Sequence, residues 1–332
     1  MKILILFDVA RPADPNETFS ARSLKEEDKP TEADVLRCLK RLGHDVETLA
    51  VFDNVTDIVE KLKAYAPDVV FNLSESFYQD RAHEPNIPAL LELMKVPYTG
   101  SGPEALLLCK DKALAKKILA YHHLRLPRFV VSHRAHPLRR LRRFIYPAIV
   151  KPACEESSDG ICQASFVREE HEAVARARFI HQKFNCDALI EEYIEGRELY
   201  VSVLGHHRLT VFPAREIFFE QVPEDAPKFA TFHAKWNEAY RKKWGIKNGA
   251  AKELPEGVAD HLANLARKVY RLLKIRGFAR IDVRLTPQGE VFLLEVNPNP
   301  SLAEDEDFAR SAGDAGVAYD ALIQEILNAA LV

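Results

Sequence analysis

The sequence lacks the features that mark secreted, membrane-spanning and disulfide-rich proteins. Its five cysteines are scattered and form no Cys-x-x-Cys pair: Cys38, Cys109, Cys154, Cys162 and Cys186. An odd, scattered set argues against a disulfide framework and favours a reduced, cytoplasmic protein. No apolar run reaches the roughly 18 residues that a membrane helix needs. The short run MKILILF, ended by Asp8, predicts no signal peptide.

Neither sign of charge dominates, so the net charge does not predict nucleic acid or an acidic membrane as a partner. The 46 Lys and Arg residues stand against 49 Asp and Glu, a net charge of -3. One arginine-rich run, LRRLRRF from Leu138 to Phe144, is short, and we interpret it as a solvated surface. A Walker A phosphate loop is also missing. The 332 residues, 47% of them hydrophobic, are enough for a large core in two or three domains or in one composite enzyme.

The first hundred residues alternate predicted strands and helices. The predicted elements are the strand Ile3–Phe7, a helix from about Thr31 to Leu42, the strand His44–Val51, the helix Asn54–Ala64 and the strand Asp68–Asn72. This alternation predicts a parallel, doubly wound sheet with its ligand crevice past the carboxyl ends of the strands. The loop after the third strand offers Glu75, Arg81 and Glu84 as candidate substrate residues. The alternative is an ordinary solvated loop.

Two lysine-bearing segments follow in the middle of the chain. A single helix, predicted from about Pro103 to His122, carries CKDKALAKKIL, and the predicted strand PAIVKP ends near Lys151. A loop containing Ser157 and Ser158 comes next. A lysine at a strand end beside small residues can hold phosphate, because its ammonium group and the backbone N–H groups converge on the oxygens. A solvated basic helix and a surface loop are the alternatives.

The most informative stretch runs from Gly277 to Leu302. ARIDVRL and EVFLLEV predict two strands, and Thr-Pro-Gln-Gly between them is typical of a tight turn. Arg280 and Asp282 are two residues apart, as are Glu295 and Asn297, so each pair shares one face of its strand. Pairing across the turn brings the two carboxylates together, and with the amide oxygen they suit Mg²⁺. The alternative is a half-exposed hairpin with ordinary surface charges.

The order of these motifs resembles that of the ATP-grasp ligases, most closely the D-alanine–D-alanine ligase family. PYTGSG, DKALAKKIL, YPAIVKP, LIEEYIEGRELYVSVLG and ARIDV…EVFLLEVN follow that family's order between about Ile87 and Pro300. The resemblance implies an α/β ATP-grasp fold in three parts. These are an N-terminal doubly wound domain (1–103), a central lid subdomain (104–187) and a C-terminal subdomain with the metal and catalytic site (188–332), the last two clamping ATP.

The resemblance also implies a role for each matching residue. The ATP-binding set is Lys112, Lys151, Ser158, Glu191, Glu192, Ile194 and Glu198. Within it, Glu191 would accept from the adenine amino group and Glu198 would hold the ribose. Mg²⁺, with Mn²⁺ as the alternative ion, would be bound by Asp282, Glu295 and Asn297. The catalytic residues would be Arg280, Lys235 and Ser157, and dimers are usual in the family, so a homodimer is expected.

The chain departs from that family where the amino-acid substrates are recognised. Glu75 stands about where the family has a histidine, and DVARPADPNETF replaces a glycine-rich first loop. After Asn297 come Ser301 and an acidic stretch, with Glu306 at the position of a serine that holds the acceptor's carboxylate and Asp305 beside it. We therefore expect an acceptor with a second amine or without a carboxylate at that end. The alternative is that the acidic stretch only caps a helix.

The expected activity is ATP-dependent joining of a carboxylate to an amine through an acyl-phosphate, with ADP and phosphate released. The expected partners are small molecules: amino acids, amines or short peptides. Three alternatives remain, namely a true D-alanine–D-alanine ligase, an ATP-grasp kinase, and a nucleotide-binding protein that performs no ligation. The segment 220–248, which carries Lys235 and has no clear period, is predicted to be a mobile lid.

Overall fold

The computed structural model describes residues 1–154, 158–223 and 226–331, and they form three β-sheets covered by helices. The first sheet is parallel, with β1 (Lys2–Asp8) between β2 (Asp45–Val51) and β3 (Val69–Asn72). The helices around it are α1 (Ala21–Glu26), α2 (Pro30–Arg41), α3 (Val55–Tyr65) and α4 (Asn86–Leu93). The predicted alternation is confirmed. β1 is apolar throughout its middle because both of its faces are covered.

The single helix predicted from Pro103 to His122 is wrong, because the chain forms two helices there. They are α5 (Pro103–Lys110) and α6 (Lys112–Tyr121). Asp111 separates them with ψ at 86°, outside the helical range, and its carboxylate accepts a hydrogen bond of 2.9 Å from the Leu114 N–H. Asp111 is therefore an N-cap, a position that aspartate favours. Lys112 consequently begins a helix instead of lying in the middle of one.

The second sheet is antiparallel, in the order β4-β7-β5-β6. Its elements are β4 (Phe129–Ser132), β5 (Ala148–Pro152), β6 (Phe166–Val167), α7 (Glu170–Lys183) and β7 (Ala188–Glu192). The inner face of α7 packs Ala177 and Ile180 against Val150 and Ile190 of the sheet. This packing fixes β5 and β7, whose ends carry Lys151 and Glu191.

The third sheet has the order β11-β10-β8-β12-β13, with β9 on the other part of β8. Its strands are β8 (Arg197–Gly205), β9 (Leu209–Val211), β10 (Arg215–Phe219), β11 (Ile246–Ala250), β12 (Gly277–Leu285) and β13 (Val291–Asn297). The helices of this part are α8 (Phe232–Trp236), α9 (Glu238–Trp244), α10 (Val258–Leu272), α11 (Asp307–Asp314) and α12 (Tyr319–Ala330). None of the helices in the described residues is long and apolar enough to cross a membrane.

Some helices pack on a sheet outside the domain to which the predicted boundaries assign them. The core around β1 includes Phe308 of α11 and Ile326 of α12, so the end of the chain packs on the first sheet. α5 and α6 pack with α10 on the third sheet, although the predicted boundaries assign most of them to the central part. β7 is a strand of the second sheet. We propose that the boundary predicted at 187 lies after β7, and the division into three parts stays a proposal.

The segment 220–248, predicted to be a mobile lid, contains α8, α9 and the first part of β11. Each helix spans two turns or less, too short for a hydrophobic period to be recognisable in the sequence. Residues 224–225 lie outside the described residues. Helices of this length are not stable alone and depend on tertiary contacts, so whether the segment moves remains a prediction.

Hydrogen exchange tests that mobility. We expect the backbone amides of α8 and α9 to gain protection when a non-hydrolysable ATP analogue is added, because a bound nucleotide gives these short helices new contacts. β11 is the internal control, since its hydrogen bonds to β10 hold it in the sheet in both states. Equal protection of α8 and α9 with and without the analogue would count against a lid.

Candidate active site

The hairpin of β12 and β13 brings the predicted metal ligands together. Asp282 is paired with Glu295 and Arg280 with Asn297, as the two-residue spacing predicts. The register is fixed by the turn, where the Thr286 N–H donates to the Glu290 carbonyl over 2.9 Å. A β-bulge follows the Asp282–Glu295 pair and interrupts the ladder beside the two acids.

Arg280 is oriented by Asp282. Its Nε and Nη2 donate to the two carboxylate oxygens over 2.8 and 2.9 Å, a bidentate pair, and its guanidinium lies 4.7 Å from the centre of the Tyr200 ring. The Asn297 side-chain amide also donates to Asp282, over 3.2 Å. The arginine, one of the acids and the asparagine thus form one connected, largely buried group.

Glu295 is held by lysine. Lys112, almost fully buried, forms an ion pair with its carboxylate. Burial alone would raise the pKa of Glu295, but Lys112, Lys151 and Lys235 together hold it well below its ordinary value. Glu295 is therefore an anion in the physiological range, the form in which a carboxylate binds a divalent cation.

Glu191 bridges two buried lysines. Its two oxygens lie 2.6 Å from Lys116 Nζ and 2.6 Å from Lys151 Nζ, and all three side chains are at most 8% exposed. Burial would raise the pKa of Glu191, yet the two lysines lower it. Lys116 was not among the predicted site residues. The signal that could have identified it is its position four residues after Lys112, on the same face of α6.

Glu198 is held by Arg284 in a second pair that sequence reasoning missed. Arg284 Nη2 donates to Glu198 over 2.8 Å, and the Tyr200 hydroxyl donates to the other carboxylate oxygen over 3.1 Å. Arg284 is two residues beyond Asp282 on β12, so the alternation of the strand places it on the same face as Arg280. Glu198 itself lies in β8.

The edge of the cleft opposite the hairpin comes from the second sheet. Glu192 and Ile194 line the cleft, as do the rings of Tyr193 and Phe229. The Glu192 N–H donates to the Arg128 carbonyl over 2.8 Å, so this N–H is used within the protein. The apolar walls and the backbone of this strand end have the character of a pocket for a flat heterocycle.

The predicted serine loop reaches across to the segment that carries Lys235. Ser158 Oγ donates to the Ala230 carbonyl over 2.9 Å, and both residues line the cleft with Lys235. Burial, followed by repulsion from Arg280, lowers the pKa of Lys235. Ser157 lies outside the described residues.

Four of the candidate substrate residues have partners elsewhere in the described structure: Glu75, Arg81, Glu84 and Ser301. Arg81 lies 3.5 Å from Glu75, while Glu84 is buried and paired with Lys110 Nζ at 2.9 Å. Ser301 Oγ lies 3.0 Å from Thr31 Oγ1 of α2. The Glu84 pair joins its loop to α5, and the Ser301 contact joins the segment after β13 to α2.

The four acids of the acidic run (Glu304, Asp305, Glu306 and Asp307) have different surroundings. Glu304 pairs with Arg37 at 2.8 Å, and Asp307 with Arg215 at 2.9 Å. Asp305 is exposed. Glu306 is half-buried, and burial followed by the charge of Asp307 raises its pKa, while Arg280 is close enough to oppose this. Glu306 has the backbone of an N-cap for α11, but its carboxylate accepts no cap hydrogen bond.

Comparisons with known proteins show which proteins this chain is similar to. A family profile described as D-ala D-ala ligase C-terminus matches residues 111–328. The uncharacterized protein y4sG of Sinorhizobium fredii is 32% identical over 308 residues, covering 89% of this chain and 86% of that protein. The D-alanine–D-alanine ligase of Pelotomaculum thermopropionicum is 30% identical over 285 residues, covering 83% and 84%.

Among solved structures, the D-alanine–D-alanine ligase of Bacillus anthracis complexed with ATP matches with a TM-score of 0.74 at 20% identity. The match covers 100% of this chain and 97% of that one. Fold and profile together define an ATP-grasp enzyme, an ATP-dependent ligase that forms carbon–nitrogen bonds. The chain belongs to the D-alanine–D-alanine ligase family.

We predict that Arg280 acts in the transition state and Arg284 in nucleotide binding. Arg280→Lys keeps the charge but loses the bidentate fork, so kcat should fall by about a hundredfold with little change in the KM for ATP. Arg284→Lys is the matched variant, four residues further along the same face of β12. It should raise the KM for ATP, because Glu198 would lose the partner that orients its carboxylate. Steady-state kinetics measure both. Weak ATP binding with normal kcat in Arg280→Lys would reassign that residue.

Proposed function

We propose that this protein joins a carboxylate to an amine through an acyl-phosphate, using an acceptor other than D-alanine. The observation that carries the proposal is that Asp282, Glu295 and Lys235 line one cleft, while Arg280 pairs with Asp282 and Lys112 with Glu295. A nucleotide-binding protein has no need for the arginine beside the acids, because it stabilises no charge at an acyl centre. This makes binding without ligation the weaker alternative.

The proposed reaction has two steps. A carboxylate oxygen of the first substrate attacks the γ-phosphorus of ATP, which forms the acyl-phosphate and releases ADP. The amine then attacks the acyl carbon, phosphate leaves, and the amine loses a proton to give the amide. The residues of this chain contribute positioning and charge neutralisation, on which such transfers mainly depend. Lys151 and Lys235 would neutralise phosphate oxygens, and Arg280 the charge that develops at the acyl centre.

The residues fit Mg²⁺ as the accompanying ion. Asp282 and Glu295 face each other across the hairpin and Asn297 adds an amide oxygen, a hard-oxygen set with two negative charges. Bound there, the ion would supply charge neutralisation at the phosphates. Mn²⁺ accepts the same ligands and is the alternative.

The acceptor is the part of the reaction in which we expect this protein to differ from its D-alanine-ligating relatives. Arginines already pair with Glu304 and Asp307, whereas the half-buried Glu306 is close enough to Arg280 for the two charges to interact. A carboxylate at that point would repel the carboxylate of an incoming D-alanine and attract a cation. We therefore propose an acceptor with a second amine, or with no free carboxylate at that end, such as a diamine or a basic amino acid.

Phosphate release measured against amino acids, diamines, amines and short peptides tests the function. The proposal predicts ADP and phosphate in equal amounts, with phosphate depending on the amine. A kinase would form ADP without an amine and release no phosphate. A D-alanine–D-alanine ligase would be most active with D-alanine alone, and that result would overturn the proposed acceptor.

Glu306→Ser tests the acceptor assignment. The measured quantity is kcat/KM for acceptors with a carboxylate divided by kcat/KM for acceptors without one. Loss of the half-buried charge should raise this ratio about tenfold, which corresponds to about 1.4 kcal/mol. Asp305→Ser is the control, because it removes the same charge from the exposed neighbour and should leave the ratio almost unchanged. Equal shifts in the two variants, or none in Glu306→Ser, would mean that the acidic run only marks the start of α11.

A further inference from the structure

Lys235 reaches the cleft from a helix that cannot fix its own position. α8 spans five residues, and a helix of one or two turns has too few internal hydrogen bonds to be stable alone. Its placement must therefore come from contacts with the rest of the protein. Those contacts decide where the ammonium group of Lys235 lies.

Ala234, the residue before Lys235, is held through both of its backbone groups. Its N–H donates to Thr231 Oγ1, the N-cap of α8, over 3.1 Å. Its carbonyl accepts from Arg241 Nη1 over 2.6 Å. The methyl group is 1% exposed and packs in a cluster with Tyr200 and Ile217 of the third sheet. The backbone at Lys235 is thus fixed on one side by a cap and on the other by Arg241.

Arg241 also connects this helix to the acidic run. Its Nη2 donates to Asn248 Oδ1 of β11 over 3.1 Å. The Asn248 side-chain amide donates to Asp307 over 2.5 Å, and Arg215 donates to the other oxygen of Asp307 over 2.9 Å. Asp307 is the first residue of α11, directly after Glu306. A continuous set of hydrogen bonds therefore runs from the residue before Lys235 to the residue after Glu306.

We propose that Arg241 is a positioning residue that fixes the place of the Lys235 side chain relative to the acceptor side of the cleft. This inference rests on the proposed function. Arg241 reaches the carbonyl of α8 and the side chain of β11 at once because its guanidinium has donors on two nitrogens in a fixed plane. Lysine has one nitrogen on a flexible stem. It can replace one of the contacts but holds the two elements less rigidly.

A purely structural role makes a different prediction. If Arg241 only fastens α9 to β11, its loss would lower stability and weaken ATP binding together. If it positions Lys235, its loss would leave the fold and the ground-state binding of ATP intact and slow the chemical step. A misplacement of about 1 Å at a phosphate-neutralising group is enough for roughly a hundredfold loss.

Arg241→Met removes the bridge while keeping much of the side-chain volume. Lys242→Met is the matched control, since Lys242 is the exposed next residue of the same helix and the change in charge is equal. We expect kcat to fall about a hundredfold in Arg241→Met, with KM for ATP and Tm close to the parent, and no change in Lys242→Met. Arg241→Lys should recover part of kcat. Equal kcat in all three variants, or parallel losses of kcat, ATP affinity and Tm in Arg241→Met, would overturn the proposal.

Tryptophan fluorescence tests the same idea without any turnover. The two tryptophans of the chain, Trp236 and Trp244, lie on α8 and α9 on either side of Arg241. A non-hydrolysable ATP analogue should change the emission of the parent and of Lys242→Met, and change it less in Arg241→Met at saturation. An identical change in all three proteins would contradict the positioning role. Absence of turnover with every acceptor would instead count against the proposed function.

Discussion

The cleft depends on the neutralisation of buried charge. Lys116 and Lys151 meet Glu191, and Lys112 meets Glu295, within a space where an unpaired ion would be destabilising by several kcal/mol. The lysines that we propose bind phosphate can therefore stay buried and charged only because the protein supplies its own carboxylates. Binding of ATP with its metal would exchange these internal partners for phosphate oxygens and a cation. We therefore interpret these ion pairs as partners that the proposed nucleotide site exchanges on binding.

Much of this arrangement could be predicted where local rules decide it. The turn from Thr286 to Gly289 and the two-residue spacing along each strand predicted the pairing of Asp282 with Glu295. Alternating apolar runs and helices predicted the parallel first sheet, because a strand covered on both faces is apolar throughout, as Ile3–Phe7 is. In both cases a short stretch of sequence contains all the information that is required.

The remainder could not be predicted because its partners are far apart in the chain. Arg284 and Glu198 are 86 residues apart, and the pair forms only because β12 lies beside β8 in the sheet. The break at Asp111 was hidden by an apolar pattern that continues through it, and the helix that carries Lys235 is too short to show a period. The differing surroundings of the four acids in the acidic run likewise follow from tertiary contacts. The sequence shows that four acids follow one another, but it does not show that Glu306 is the half-buried one.

The Mg²⁺ dependence of ATP affinity, measured by calorimetry for the parent protein and for Glu295→Gln, shows whether the hairpin holds the metal. The substitution keeps the shape of the side chain, removes a charged metal ligand, and frees Lys112 from its internal partner. We expect Mg²⁺ to strengthen ATP binding in the parent and to have little effect in the variant, while metal-free ATP binds the variant at least as tightly as the parent. An equal enhancement by Mg²⁺ in both proteins would contradict the assignment of the metal to this hairpin.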